Sequence, residues 1–246
     1  MFEPPFIAPD RFEAQLAAVG HAVISPASVQ RSFGVGAEAL AALAPVWNAL
    51  PADAYLKDGG RYRFRRHSCF IADGAKQELT LAPHRAHWQP LDYNALHGGI
   101  ERWFEPMTDA ALAQPAWRQL MLGLAGVASR LKGARPWFIE AHQFRIDTAS
   151  GIGRPTPEGA HRDGVDLVAV FLVDRQQIKG GESRVFEAQG PNGQRFTMHA
   201  PWTLLLLDDE RVIHETTPIQ PLQADGGAGH RDTLVVTLRA GGFQGP

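Results

Sequence analysis

The sequence predicts a mainly β protein with helices at its N-terminal end, an α+β arrangement whose strands form a jelly-roll or cupin-like barrel. From Trp137 onward, short segments rich in β-branched and aromatic residues alternate with turns containing glycine, proline, asparagine or aspartate. Short strands that recur about every eight to twelve residues are typical of sandwiches and barrels. The seven predicted strands are Trp137–Ile146, Leu167–Val173, Ser183–Glu187, Arg195–His199, Trp202–Leu207, Val212–Pro218 and Asp232–Leu238.

The N-terminal part is predicted to be helical. We expect residues 1–246 to form a single domain, in which a helical part at about 1–136 packs on a barrel core at about 137–240. Asp10 is a suitable capping residue for the first helix, and Pro45 favours a break within the second. The predicted helices are Arg11–Val19, Ala37–Leu50 and Ala116–Leu131.

Two further strands are predicted before the barrel core. The first, His21–Ser25, follows the glycine that ends the first helix. The second, Arg61–Arg65, alternates arginine with aromatic residues, a pattern typical of a half-buried strand. We expect Arg61, Arg63 and Arg65 to form its solvated face.

Composition and charge exclude several classes of partner. The chain has 44% hydrophobic and 20% charged residues, and its net charge of −2 does not favour nucleic acid or a membrane surface. The single cysteine, Cys69, excludes an internal disulfide framework and fits a reducing compartment. The sequence shows neither a signal peptide nor an apolar run of about 18 residues. We expect a soluble, cytoplasmic protein that acts on a small molecule, with monomer and homodimer both open.

A candidate metal motif precedes the most apolar strand. His161 and Asp163 stand two positions apart, just before Leu167–Val173. In an extended chain, residues two apart point to the same side, so both side chains are expected to reach a common point. An imidazole and a carboxylate supply two thirds of the 2-His-1-carboxylate set that holds non-haem Fe(II).

Two histidines compete for the place of third ligand. His214 begins a predicted strand and can face the barrel interior, whereas His199 is the rival and is interpreted as a sheet histidine. A second His-x-Asp, formed by His230 and Asp232, has no histidine after it and needs a partner from upstream. A lone His-x-Asp is more often a hydrogen-bonded pair than a metal site.

Several short motifs together resemble a known family. They are Pro157–Gly164, Gly180–Arg184, Arg211–His214 and Thr217–Ile219, with a looser similarity over Gln89–Pro106. They resemble the bacterial Fe(II)/2-oxoglutarate-dependent dioxygenases that hydroxylate free aliphatic L-amino acids, of the L-isoleucine hydroxylase type. The resemblance implies a double-stranded β-helix and the cofactors Fe(II), 2-oxoglutarate and dioxygen. It also implies that His161, Asp163 and His214 are the metal ligands and catalytic residues.

The resemblance also implies a cationic clamp for the distal carboxylate of 2-oxoglutarate. Arg231 opens the last strand, at a place comparable to the family's arginine, and the guanidinium fork suits a carboxylate. A plain ion pair of Arg231 with Asp232 or Asp225 is the alternative. Gln143 and Thr216 are further candidates for binding the co-substrate.

A free amino acid needs a cation for its carboxylate and an acceptor for its ammonium group. Arg102, Arg145 and Arg162 are the candidates for the first role, and Asn94 is a further substrate-binding candidate. Candidates for the second role are Glu158 and Asp166, although Asp166 is more simply a structural residue at the start of a strand. His84 and His87 are interpreted as loop residues.

Three functions remain open on the residues alone. The first is a 2-oxoglutarate-dependent hydroxylase that releases succinate and carbon dioxide. The second is a cupin-type hydrolase or isomerase using Zn(II) or Mn(II) on the same ligands, and the third is a barrel that binds a metabolite without catalysis. The carboxylate at Asp163 argues against a halogenase, which lacks it so that chloride can bind.

Overall fold

A computed structural model describes residues 2–94, 96–223 and 227–246 of the chain. Helices and strands alternate in its first half, and strands alone follow the last helix. The helices are α1 (Phe12–Val19), α2 (Pro26–Phe33), α3 (Ala37–Leu43), α4 (Asp109–Leu112) and α5 (Pro115–Lys132), with a 3-10 helix at Ala44–Ala49. The first strands are β1 (His21–Ile24), β2 (Arg63–Asp73), β3 (Glu78–Leu81) and β4 (Trp137–Asp147). The remaining strands are β5 (Leu167–Gln176), β6 (Ile178–Gly180), β7 (Ser183–Glu187), β8 (Gly193–Phe196), β9 (Leu204–Asp208), β10 (Val212–Thr216), β11 (Ile219–Pro221) and β12 (His230–Arg239).

Two sheets pack face to face. Within the described residues, a seven-stranded antiparallel sheet has the order β1-β9-β5-β12-β4-β2-β3, and a smaller sheet has the order β10-β7-β8. Val168 and Leu207 of the large sheet pack against Val185 and Phe196 of the small sheet in one buried cluster. The space between the sheets is therefore partly an apolar core.

The helices cover the outer face of the large sheet. In α5, Trp117, Leu120 and Leu124 are almost fully buried and join a core cluster with Leu234 and Val236 of β12. Burial of a large apolar side chain contributes about 1.5–3 kcal/mol, so this layer holds the sheet in place from outside. No helix in the described ranges is long and apolar enough to cross a membrane.

Several predicted boundaries shift for local reasons. The second predicted helix, Ala37–Leu50, is interrupted near Pro45 as expected: α3 ends at Leu43, and a tighter 3-10 helix follows. Asp10 is not the cap of α1, because Arg11 takes that position and makes no side-chain capping bond. The predicted strand Val212–Pro218 ends at Thr216, and its chain continues as β11. The predicted strand Arg195–His199 ends at Phe196.

Candidate metal centre and active site

The segment carrying His161 and the strand carrying His214 are joined by two backbone hydrogen bonds. The His161 amide donates to the His214 carbonyl at 3.0 Å, and the reverse bond is 2.9 Å long. The two imidazole rings consequently lie side by side, with centroids 4.6 Å apart. Asp163 completes the group, and one ligand atom from each of the three residues lies within 4.8 Å of the others.

The spacing of these atoms fits a single cation. His161 Nε2 is 3.9 Å from Asp163 Oδ1, and His214 Nε2 is 3.8 Å from Asp163 Oδ2. Two ligands with bonds of about 2 Å can be bridged by one ion at such separations. His161 donates from Nδ1 to the carbonyl of Gly159 at 2.9 Å, which leaves the Nε2 lone pair facing the group.

Asp209 holds the loop that carries Asp163. Its buried carboxylate accepts the backbone N–H groups of Asp163, Gly164 and Val165 at 3.0, 2.7 and 3.1 Å. Gly164 adopts a φ of +76°, which favours glycine and lets three successive amides converge on one carboxylate. The sequence analysis did not identify Asp209, since nothing local in the sequence distinguishes an acidic turn residue from one that anchors a neighbouring loop.

Burial perturbs the pKa values of the three candidate ligands. Burial raises the pKa of Asp163 to about 6, despite the opposing charge of His161. It also lowers the pKa of His214 well below its ordinary value, so this imidazole is neutral. For His161, burial disfavours the charged form, but the carboxylates of Asp163 and Glu158 outweigh it and raise the pKa. A divalent cation would favour an ionised carboxylate and two neutral imidazoles, the forms that bind metal.

A cavity opens beside the three residues. It has a volume of about 110 Å³ and is bounded by β2, β4, β5, β10, β12 and the irregular segment before α4. On β12, Arg231, Thr233, Val235 and Thr237 face the cavity, as alternate residues of a strand must. Thr216 at the end of β10 also lines it.

Arg231 is placed as a carboxylate clamp requires. It is 3% exposed and lines the cavity, and its Nη2 has no hydrogen-bond partner among the described residues. Burial lowers its pKa to about 10, so it stays charged at neutral pH. The alternative, an ion pair of Arg231 with Asp232, is not formed, because Asp232 points to the other face of β12 and pairs there with Arg145. The other possible partner, Asp225, lies outside the described residues. A buried guanidinium with an unpartnered Nη2, in the same cavity as three candidate metal ligands, fits the distal carboxylate of 2-oxoglutarate.

Gln143 and Arg145 lie on the wrong face of β4 to take part in this site. In the pairing with β12, His142, Phe144 and Ile146 stand opposite the residues that line the cavity. Gln143 and Arg145 consequently point to the outer face. Arg145 pairs there with Asp232 through Nη2 at 2.6 Å and also contacts Asn48. The expectation that these two residues touch co-substrate or substrate is therefore not met.

Of the other predicted substrate residues, some line the cavity and one does not. Arg102 and Asn94 line the cavity, and both are bonded to Gln89. Arg162 points away from it, since its Nε donates to the carbonyl of Asp209 and its guanidinium lies over the Tyr93 ring. Glu158 lines the cavity and has a buried Oε2 without a partner in the described structure.

Arg61 is exposed as predicted, but Arg63 and Arg65 of β2 are buried, contrary to the sequence-based prediction. Arg63 and Arg65 are 5% and 3% exposed and line the cavity. Asp53, from the preceding segment, pairs with Arg63 at 2.7 Å and lies 3.8 Å from Arg65. Arg65 also stacks on Phe104, 3.7 Å from the ring centroid. The alternating pattern was read correctly, but these partners lie far along the chain.

A second group of histidines forms the base of the cavity. His67 and His87 both contact one oxygen of Glu140, at 3.0 and 2.7 Å. Although these atoms are close enough for a metal, the rings of His67 and His142 are stacked with only 18° between their planes. In-plane lone pairs of nearly parallel rings do not converge, and Arg65 already donates to His142. We interpret this group as a hydrogen-bonded wall, to which His87 contributes although it was expected only in a loop.

The remaining candidate histidines lie outside the site. His199 is exposed and follows β8, so it does not replace His214. His230 and Asp232 of the second His-x-Asp form a cluster with Asp174, on the outer face of the large sheet. Arg145 already neutralises Asp232 there.

Comparison with known proteins identifies the class. Residues 44–237 match the 2OG-Fe dioxygenase family, and the chain belongs to this family. It is a dioxygenase of the kind that uses Fe(II), 2-oxoglutarate and dioxygen. Family membership favours this activity over a cupin-type hydrolase or isomerase and over a non-catalytic barrel. A search of curated protein sequences found no match.

Solved structures share the fold over nearly the whole chain. A crystal structure of a bsmA homolog from Methylobium petroleophilum PM1 has 50% sequence identity and a TM-score of 0.93, covering 99% of this chain and 98% of that one. IDO from Bacillus thuringiensis has 19% identity and a TM-score of 0.76, covering 97% of this chain and 100% of its own. The Fe(II)/(alpha)ketoglutarate-dependent dioxygenase TqaL has 17% identity and a TM-score of 0.72, covering 94% and 86%.

Proposed function

We propose that this dioxygenase hydroxylates a free aliphatic L-amino acid, with His161, Asp163 and His214 as the iron ligands. Arg231 would hold the distal carboxylate of 2-oxoglutarate, with Thr216 beside it. The facing sheets that carry these residues are those of a double-stranded β-helix. When bound, iron and 2-oxoglutarate supply oxidation of an unactivated carbon by dioxygen, with release of succinate and carbon dioxide.

The observation that carries the substrate assignment is that two oppositely charged side chains in one cavity, Arg102 and Glu158, each keep one buried polar atom without a hydrogen-bond partner in the described structure. Arg102 is 2% exposed, and its Nε has no hydrogen-bond partner in the described ranges. Glu158 has an unpartnered buried oxygen in the same cavity, 3.5 Å from His161 through its other oxygen. A buried polar atom without a partner costs about 1–3 kcal/mol, which a ligand can recover. A carboxylate and an ammonium group on one small molecule would satisfy both residues.

Several buried charges beside the cavity already have partners of their own. Arg63 and Arg65 lie 2.7 and 3.8 Å from the carboxylate of Asp53, and Glu140 accepts hydrogen bonds from His67 and His87. Arg102 and Glu158 differ, because each keeps a buried polar atom without a hydrogen-bond partner in the described structure. These two residues are therefore the ones best placed to bind the two charged groups of an amino acid.

An apolar surface lies beside this polar wall. Val170 of β5 and Val235 of β12 line the same cavity and stand directly opposite each other in the sheet. They form a small patch that an aliphatic side chain can cover.

The protein's own residues bind, orient and exclude water. His161, Asp163 and His214 would hold the metal ion and, as three ligands, would leave coordination positions open for 2-oxoglutarate and dioxygen. Arg102 and Glu158 would fix the α-carbon, so that the side chain of the substrate points along the apolar patch. Because orientation decides which carbon is oxidised, these contacts would set the site of hydroxylation.

A turnover assay tests the proposal. The purified protein is incubated with Fe(II), 2-oxoglutarate and each free L-amino acid in turn, and succinate and the mass of the amino acid are measured. We expect at least one aliphatic L-amino acid to increase succinate release and to gain one oxygen atom. If every free amino acid leaves succinate at its background level while another small acid is hydroxylated, the substrate assignment is wrong.

A further inference from the structure

Gln89 links the candidate metal ligand Asp163 to Arg102 on the cavity wall. Its Nε2 donates to Asp163 Oδ1 at 2.9 Å, and its Oε1 accepts from Arg102 Nη2 at 2.9 Å and from Asn94 Nδ2 at 3.0 Å. The residue is 5% exposed and lines the cavity. The side-chain amide is therefore the direct connection between the two parts of the site.

The hydrogen-bond partners leave one orientation for this amide. A carboxylate only accepts, so the group facing Asp163 must be the NH2 group. Both Arg102 and the Asn94 Nδ2 only donate, so the group facing them must be the carbonyl oxygen. Asn94 is fixed in turn, because its Oδ1 accepts the backbone N–H of His97 at 2.7 Å. Rotating the Gln89 amide by half a turn would oppose donor to donor and acceptor to acceptor.

This arrangement has a consequence for metal binding. Gln89 donates to Oδ1 of Asp163, while Oδ2 lies 3.8 Å from His214 Nε2 and accepts no bond from Gln89. The amide thereby fixes the orientation in which the carboxylate would meet a metal ion. Hydrogen bonds to a ligand typically change metal affinity or activity by about 10- to 100-fold.

It also has a consequence for substrate binding. A carboxylate bound at the unpartnered Nε of Arg102 shares the guanidinium with Gln89 Oε1, which accepts from Nη2. Any shift of the guanidinium toward the anion would pass through this same amide to Asp163. No other side chain among the described residues is hydrogen-bonded to both Asp163 and Arg102.

We propose that Gln89 is a positioning residue that couples occupancy of the Arg102 site to the geometry of the metal ligand Asp163. This inference rests on the proposed function for the identity of the ligand at Arg102. Its effect on Asp163 does not depend on which substrate binds.

Two substitutions distinguish the hydrogen bond from Gln89 to Asp163 from the one that Gln89 accepts from Arg102. Gln89→Leu removes both, whereas Gln89→Glu keeps an acceptor for Arg102 and Asn94 but loses the donor to Asp163. Gln189→Leu, at an exposed glutamine of the β7–β8 connection, is the matched control. Mn(II) serves as a redox-stable probe, and its free concentration is followed by electron paramagnetic resonance, with and without 2-oxoglutarate and the amino acid found in the turnover assay.

We expect the wild-type protein and Gln189→Leu to bind Mn(II) equally, and the amino acid to change that affinity. Both Gln89 variants should bind Mn(II) about 10- to 100-fold more weakly, and the amino acid should no longer alter the affinity. Thermal unfolding checks that each variant is folded, and Gln89→Glu decides the question if Gln89→Leu is not.

Wild-type Mn(II) affinity in a folded Gln89 variant would overturn the link to Asp163. A wild-type affinity that does not respond to the amino acid would overturn the coupling. If no amino acid is a substrate, the proposed function fails, while the Mn(II) affinities of the two variants still decide the role of Gln89.

Discussion

The backbone of His161 is paired with that of His214 through two hydrogen bonds of 3.0 and 2.9 Å. This isolated antiparallel bridge connects the loop before β5 to the strand β10 of the other sheet. Two imidazoles from distant parts of the chain thereby reach one point without depending on side-chain contacts alone. The candidate metal centre is thus built into the pairing of the two sheets.

Removal of one imidazole tests the metal centre. His161→Ala should abolish stoichiometric Fe(II) binding and turnover, because two remaining ligands do not hold the ion. Metal content after anaerobic loading and desalting measures the first effect. His199→Ala changes an exposed histidine outside the site and should retain the metal. Equal metal content in the two variants would contradict the assignment.

Arg231→Met tests the clamp for 2-oxoglutarate. The lost charged hydrogen bonds are worth about 1.5–3 kcal/mol, which corresponds to a roughly 10- to 150-fold weaker affinity. Titration calorimetry of the Mn(II)-loaded protein with 2-oxoglutarate measures this change. An affinity within about twofold of the wild type would show that the co-substrate lies elsewhere.

Arg102→Met and Glu158→Gln test the residues proposed to bind the carboxylate and the ammonium group of the substrate. Each should raise the KM for the amino acid by about 10- to 150-fold, since each removes a charge-assisted hydrogen bond. The KM for 2-oxoglutarate should change much less, because Arg231 is untouched. Equal increases in both KM values would instead indicate a general disturbance of the cavity.

Arg145→Met should affect stability and leave both KM values nearly unchanged. It leaves Asp232, whose side chain is 2% exposed, without its ion-pair partner on the outer face of the large sheet. Leaving a buried hydrogen-bonding group unsatisfied costs about 1–3 kcal/mol, which urea unfolding can measure. A large rise in either KM would instead indicate that Arg145 contributes to substrate or co-substrate binding.

The buried histidines predict acid sensitivity of the metal-free protein. Burial lowers the pKa of His87 to about 3 and of His97 to about 4, and it also lowers that of His142. Because unfolded histidines titrate near 6.5, the unfolded state binds more protons as the pH falls. Stability from these groups is therefore present above about pH 6.5 and is lost progressively below it.

His142→Gln isolates one of these groups while keeping an acceptor for Arg65. Below pH 6.5, the free energy of unfolding of the wild type should fall more steeply than that of the variant, by up to about 1.4 kcal/mol per pH unit. Urea unfolding at several pH values between 5 and 7 measures both slopes. Parallel curves would mean that His142 is protonated in the folded protein.

The sequence was most informative where a pattern has a single structural meaning. Most strands after Trp137 lie within a few residues of their predicted positions, and Pro45 ends its helix as expected. His161 and Asp163 lie together because a two-residue spacing in extended chain is a strong geometric constraint, and backbone pairing of His161 with His214 adds the third side chain.

The sequence was least informative where burial occurs on both faces of a strand. Most residues of β4 are buried on either face, so alternation does not show which face meets the cavity. The choice of Gln143 and Arg145 over His142 and Phe144 was therefore arbitrary. Arg63 and Arg65 were assigned to solvent because Asp53 and the aromatic rings that accommodate them are brought close only by the tertiary fold.

Most of the arginines on the cavity wall come from a different stretch of the polypeptide than the candidate metal ligands. Arg63, Arg65 and Arg102 precede α5, while His161, Asp163, His214 and Arg231 all follow it. Exchange of the earlier stretch for that of a relative is therefore a way to alter the choice of substrate. Such a chimera should keep the glutamine at position 89, since its amide donates to Asp163 across the boundary between the two stretches.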